Sequence, residues 1–211
     1  MEPMRLIDIT PVIADRTQVY PGDTRPTREV LWRLEDGAPV TLSTLRTSVH
    51  MGAHADAPSH YGLEGRTMEQ QPIELYVGPC SVIKADGPRG GRVGIDDLIG
   101  ELPATERLLI DTGSFDGVEA WNEDFCGLEP ELIDLLGRRG VRLVGTDAPS
   151  VDTQESKDLP SHARFLAHDM AIIEGLVLKD VPAGDYELIA LPLRLEGFDG
   201  SPVRAILRAF D

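Results

Sequence analysis

The sequence predicts a single α/β domain over residues 1–211, and three observations carry that expectation. A chain of 211 residues suits one domain with a substantial core and is short for two. Its 41% hydrophobic and 27% charged residues are the proportions of an ordinary globular protein. Between residues 108 and 144 the pattern runs strand, amphipathic helix, strand, the order that builds a parallel pair with a helical crossover.

Taken in order, Leu6 to Ile13 alternates as a strand does and runs through Pro11. Val19-Tyr20-Pro21-Gly22-Asp23-Thr24 carries a Pro-Gly turn signal, and Tyr20 beside it reads as core on residue type alone. Val30 to Leu34 and Val40 to Val49 read as strands joined through Asp36-Gly37-Ala38-Pro39. Thr67 to Gln71 fits one helical turn, with Thr67 as N-cap and Pro72 as its end. Val77 to Ala85 is a strand, followed by an exposed loop from Gly87 to Gly91 that lacks a phosphate-loop fingerprint.

Ile95 to Leu102 is expected as a short helix and Leu108 to Asp111 as an apolar strand. Leu132, Ile133, Leu135 and Leu136 give Pro130 to Arg139 helical spacing, and Gly140 stops it. Val141 to Val144 and Ala171 to Leu178 are further strands, with Ser161 to Ala171 a candidate helix between them. Tyr186 to Leu191 and Val203 to Phe210 close the chain around a turn at Gly197 to Pro202.

The formal net charge of −16 weighs against non-specific binding to nucleic acid or an anionic membrane, both of which need a basic face. No apolar stretch approaches the ~18 residues of a membrane span. The start, Met1-Glu2-Pro3-Met4-Arg5, shows no export signal, so a cytoplasmic location is expected. Cys80 and Cys126 lack metal or redox spacing and read as small buried apolar residues.

Chemistry concentrates in one run, His50-Met51-Gly52-Ala53-His54-Ala55-Asp56-Ala57-Pro58-Ser59-His60. It holds three of the chain's five histidines, and its four candidate metal ligands all fall on even positions. In extended backbone, side chains two apart share a face. A straight strand would separate His50 from His60 by ~33 Å, so the run must bend, and Gly52 and Pro58 are the residues suited to bending it. It therefore reads as a kinked loop leaving a strand. Imidazoles with a carboxylate suit zinc or a similar divalent metal, and the two oxygens of Asp56 could bridge two ions. A polar loop with hydrogen-bonded histidines accounts for one such residue but poorly for three with an aspartate.

Two further signals lie downstream. Glu174 interrupts an apolar strand, and a buried unpaired carboxylate is costly, so it must sit at an edge, be paired, or ligate a metal. Thr146-Asp147-Ala148-Pro149-Ser150 ends a strand; Asp147 is either an acceptor orienting a ligand histidine or a turn residue before Pro149. His162 and His168, six apart, lie ~240° around a helix from one another, so at most one faces a given site.

The run His-x-Gly-x-His-x-Asp-x-Pro-x-His resembles the signature of the metal-dependent cyclase-like hydrolases, and Ala53 before the second histidine is similar to their kynurenine formamidase branch. So are Tyr20-Pro21-Gly22-Asp23-Thr24, the stretch through Gln154-Glu155-Ser156, Ile189-Ala190-Leu191-Pro192 and Ser201-Pro202-Val203-Arg204-Ala205. The resemblance implies a swivelling β/β/α fold with a mixed sheet and flanking helices, a homodimer, and two zinc ions per subunit, with manganese or another divalent metal as a substitute. It implies His50, His54 and Asp56 on one ion, and Asp56, His162 and Glu174 on the other, His162 and Glu174 having the family's twelve-residue spacing. It implies His60 as general acid/base, although residue type alone also allows it as a ligand. Tyr20, where the branch commonly has Trp, becomes a wall of the substrate pocket, and His168 is left structural. The implied reaction is hydrolysis of N-formyl-L-kynurenine to L-kynurenine and formate in tryptophan degradation. A cyclic-amide hydrolase like isatin hydrolase, or a metal-binding protein without catalysis, are the alternatives.

Overall fold

The computed structural model describes residues 5–115 and 120–210. In chain order its strands are β1 (Leu6–Asp8), β2 (Thr27–Trp32), β3 (Leu42–Arg46), β4 (His54–Asp56), β5 (Val77–Ala85), β6 (Arg92–Val93), β7 (Leu98–Ile99) and β8 (Arg107–Asp111). There follow β9 (Gly127–Leu128), α1 (Pro130–Arg138), β10 (Leu143–Thr146), α2 (Pro160–His168), β11 (Ala171–Glu174), β12 (Gly184–Ile189), β13 (Gly200–Pro202) and β14 (Ile206–Ala209).

Among the described residues, ten strands make one mixed sheet in the order β1-β14-β12-β5-β8-β10-β11-β4-β13, with β7 added beside β5. Strands β5, β8, β10 and β11 run parallel, and the outer pairs are antiparallel. The expected strand-helix-strand unit is β8-α1-β10, with Leu143 opposite Arg107. Alternation along each strand feeds two cores. Leu109, Leu143, Ile173, Leu188 and Leu207 pack on one face. Leu108, Ile110, Val144 and Ile172 pack on the other, under Leu132, Ile133 and Leu136 of α1 and Phe165 of α2. The architecture is thus a single-domain α/β fold built on one large mixed sheet with two helices.

Local expectations hold where residue chemistry is self-sufficient. Strand β5 has the expected bounds, and Thr67 caps a 3-10 turn over Met68–Gln70, its own N–H donating to the Gln70 side-chain oxygen. Both cysteines are free and buried. Other bounds move, and four of the shifts have a direct physical cause. Residues 95–102 form a 3-10 turn, Ile95–Asp97, and the two-residue strand β7, because β7 finds a partner edge on β5. Strand β1 stops at Asp8, before the proline. Strand β11 ends at Glu174, since Gly175 follows with φ of 68°, outside strand geometry. The histidine run is not wholly loop: its centre, His54–Asp56, is the buried strand β4 between β11 and β13.

Strands β2 and β3 form a separate antiparallel ribbon, nearly all of it exposed. Among the described residues no helix is long and apolar enough to cross a membrane.

Candidate metal centre

Register assembles the centre. Strand β4 pairs with β11 so that His54 lies opposite Glu174 and Asp56 opposite Ile172. Directly opposed residues share a face, and Ile172 belongs to the helix-side core. His54, Asp56 and Glu174 therefore all project toward α2, while the odd-numbered Ala53, Ala55 and Ala57 fill the opposite core. The three polar residues are each 3% exposed or less.

The outer histidines arrive by the two bends. Gly52 takes φ of 59°, a left-handed conformation that turns His50 back over β4. Pro58 opens a 3-10 turn over Pro58–His60 that brings His60 round to the same side. The rings of His50 and His60 stand 4.0 Å apart between centroids. Gly175 allows the close approach of the two segments: a Cβ there would lie 2.2 Å from the Gly52 carbonyl oxygen, the same oxygen that His54 Nδ1 contacts at 2.9 Å.

His162 comes from the first turn of α2. Its Nδ1–H donates to Asp152 Oδ2 at 2.8 Å, which fixes the ring and leaves Nε2 facing Asp56 and Glu174. Asp152, fully buried, also accepts the backbone N–H groups of Ser161 and His162 and an Arg92 guanidinium N–H, so one carboxylate both starts the helix and aims its histidine. Glu174 is held in turn by the Val151 N–H, which donates to Oε1 at 2.7 Å.

The ligand-type atoms converge. His54 Nε2 lies 3.3 Å from Glu174 Oε2 and 3.4 Å from Asp56 Oδ1. His162 Nε2 lies 3.6 Å from Asp56 Oδ2 and 3.8 Å from Glu174 Oε1. These separations are long for charge-assisted hydrogen bonds, which run ~2.7–2.9 Å. The first three match two ligand atoms ~2.0–2.2 Å from a shared tetrahedral ion, which sit ~3.3–3.6 Å apart, and the fourth is slightly longer. Asp56 Oδ2 is buried and has no hydrogen-bond partner, a costly state for a carboxylate oxygen unless a cation completes it. His50, His54 and Asp56 bring ligand atoms within 4.8 Å of one another, as do Asp56, His60 and His162. The donor set fits a divalent metal; Asp56 is common to these two groupings, and a third joins His50, His60 and Asp199.

The electrostatics are those of mutually dependent charges. Burial opposes charge on His54, but the Asp56 and Glu174 carboxylates prevail and raise its pKa to about 10. His162 is likewise raised to about 10, burial being outweighed by Asp152 and Asp56. Asp56 is held well below the carboxylate range, where contact with His162, His50 and His54 overcomes its burial. His60 goes the other way, burial lowering its pKa and favouring the neutral imidazole.

The histidines floor a cavity of about 470 Å³, with Tyr20, Asp23, Ser150 and Thr153 on its walls. Tyr20 stands at the rim, 38% exposed; its hydroxyl donates to the Gln154 carbonyl and its ring meets Trp121 edge-on at 5.5 Å. The six charged or imidazole residues expected at the site, His50, His54, Asp56, His60, His162 and Glu174, all meet here. His168 does not; its Nε2 contacts Asp134 of α1 at 2.8 Å, joining the two helices. Asp147 orients no histidine but accepts the Thr112 N–H and hydroxyl. Asp152 does the orienting, five residues further on. Asp199, read only as part of a turn, places Oδ2 3.0 Å from His50 Nε2.

The chain is similar in sequence and fold to known proteins. The Cyclase family model matches residues 7–153, which include the whole histidine run and Asp152. A potential metal-dependent hydrolase with cyclase activity is 30% identical, with a TM-score of 0.83 over 99% of each chain. A predicted metal-dependent hydrolase from Bacillus stearothermophilus is also 30% identical, with a TM-score of 0.79 over 97% of this chain and 98% of its own. Isatin hydrolase A from Labrenzia aggregata shares the fold at 23% identity, with a TM-score of 0.82 over 99% of this chain and 94% of its own.

Proposed function

The chain belongs to the Cyclase family of metal-dependent hydrolases, and from that premise we propose that it is an arylformamidase. It hydrolyses N-formyl-L-kynurenine to L-kynurenine and formate, with two zinc ions held by His50, His54, Asp56, His162 and Glu174. The observation that carries the hydrolytic reading is the buried, unpartnered Oδ2 of Asp56, 3.6 Å from His162 Nε2, on a carboxylate whose other oxygen lies 3.4 Å from His54 Nε2. Tyr20 at the cavity rim, just before the Pro-Gly-Asp-Thr stretch that resembles the formamidases, supports an aromatic substrate.

A divalent metal bound here supplies Lewis acidity, polarising the carbonyl and lowering the pKa of water to roughly 7. The protein's own groups do the rest. The ring of Tyr20 lines the aromatic side of the substrate, and the cavity holds the formamide over the histidines. His60, partly open to the cavity, takes a proton from the attacking water as the new C–O bond forms. It returns that proton to the aryl nitrogen as the C–N bond breaks, releasing formate and the free amine. A neutral imidazole, which burial favours at His60, is the state needed to begin.

A ring-opening amidase is the second reading, favoured by the shared fold with isatin hydrolase A. Purified protein incubated with N-formyl-L-kynurenine and, separately, with isatin distinguishes them. Formate release with kynurenine absorbance supports the proposal; ring opening of isatin without formate release replaces it. Zinc binding with neither turnover would leave a metal-binding protein without catalysis, which the placement of His60 argues against.

The proposal includes a homodimer. The β2–β3 ribbon exposes Leu31, Trp32 and Leu45 at 50%, 54% and 64%, and a two-stranded ribbon uncovered in water is marginal. A second copy covers it.

A further inference from the structure

We propose that Asp199 is a positioning residue that holds two imidazoles of the centre, fixing His50 for metal binding and His60 for proton transfer. The inference rests on reading the cluster as a metal centre. The backbone of Asp199 is pinned to the site strand: its carbonyl accepts the Ala57 N–H at 2.9 Å, and the next residue, Gly200, pairs with Asp56 across β13 and β4. From there its side chain reaches back over the histidines. Oδ2 lies 3.0 Å from His50 Nε2 and 3.5 Å from His60 Nδ1. The two rings lie against each other at a 33° tilt, so one carboxylate oxygen serves both.

The neighbourhood is shaped around this arrangement. A Cβ on Gly200 would lie 2.7 Å from His50 Cε1, so the turn leaves room for the ring only because that residue is glycine. A carboxylate accepting Nε2–H selects one tautomer of His50. Both His50 nitrogens face carboxylates, Nδ1 standing 2.9 Å from Asp56 Oδ1; with a cation bound, that tautomer presents the Nδ1 lone pair to it. On His60 the same oxygen lies 3.5 Å from Nδ1, an electrostatic contact that turns this nitrogen toward Asp199 and leaves Nε2 to exchange a proton with substrate. Asp152 performs the first of these tasks for His162 from the opposite side of the site. The two aspartates differ in setting: Asp152 is fully buried, whereas the Asp199 side chain is 49% exposed. A surface ion pair of that exposure is ordinarily worth little to stability. Its effect should therefore appear in the site and not in the fold.

The test uses metal-stripped protein carrying Asp199→Ala, with Asp199→Ser as a second truncation should the first fold poorly and Asp199→Asn to restore an acceptor oxygen. Zn2+ affinity is measured by competition with a chromogenic chelator. Ring-nitrogen states of the five histidines are read from long-range proton–nitrogen spectra of histidine-labelled protein. The expected result is Zn2+ affinity weakened by ~10–100-fold in the truncations, the magnitude typical of losing a ligand's supporting partner. The His50 and His60 nitrogen signals should shift, kcat should fall more than KM changes, and Asp199→Asn should recover most of the affinity. Truncations with Zn2+ affinity within about two-fold of the parent and unmoved histidine signals would overturn the inference while leaving the metal centre intact. A parent protein that takes up no Zn2+ would overturn the metal reading itself, and this inference with it.

Discussion

Two short antiparallel pairs in this molecule break the usual inside-outside rule in opposite directions. In β4–β11 every residue is buried, yet the pair carries His54, Asp56 and Glu174. In β2–β3 nearly every residue is exposed, yet the pair carries Leu31, Trp32, Leu42 and Leu45. Buried charge without compensation and exposed apolar surface without cover are both unfavourable. On the proposed reading each is completed from outside the chain, by a cation in the first and by a second copy in the second. Places where residue chemistry contradicts local setting are the ones to examine for function.

The comparison breaks most visibly at Asp56. Asp56→Ala removes the carboxylate common to both ligand groupings, and turnover should fall by more than about 100-fold, beyond the loss expected from removing a mere supporting group. His60→Ala should lower kcat by ~10²–10⁴-fold while bound metal, measured by plasma mass spectrometry, stays unchanged. Loss of metal in that variant would make His60 a ligand.

Beneath the site, Ile173→Ala empties a fully buried position and should lower unfolding free energy in urea by ~2–5 kcal/mol. On the ribbon, Leu45→Ser should change stability by less than about 0.5 kcal/mol in the isolated monomer. It should, however, shift the sedimentation coefficient from dimer toward monomer; an unchanged coefficient would mean that the second copy docks elsewhere. The smallest effect is chemical. Burial pushes the Cys80 thiol up to about 12 and raises that of Cys126, so a thiol reagent at pH 8 should label neither until the protein is unfolded.

Much of the fold was legible because some segments carry their own instructions. Strand β5 and helix α1 show their periods, and Thr67 with Gln70 spells out a cap. The site was legible through parity: even positions on β4 share one face, and Gly52 and Pro58 provide the bends. What escaped is what only tertiary pairing decides. His54–Asp56 is too polar to read as a strand and becomes one because β11 and β13 flank it. Asp152 and Asp199 are two among 36 acidic residues, both in turn-like sequence, where aspartate is common. Only the folding of α2 and of the β13 turn against the site sets them apart. The ten-residue interval from Asp152 to His162 carries no local signature, so Asp147, beside its proline, drew the attention instead.

The most direct test of the central claim is titration of metal-stripped protein with Zn2+, following bound metal and hydrolysis of N-formyl-L-kynurenine together. Two ions per chain, with turnover rising as they bind and vanishing on chelation, is the predicted result. Turnover that survives complete removal of metal, or a stripped protein that binds no Zn2+, would contradict it.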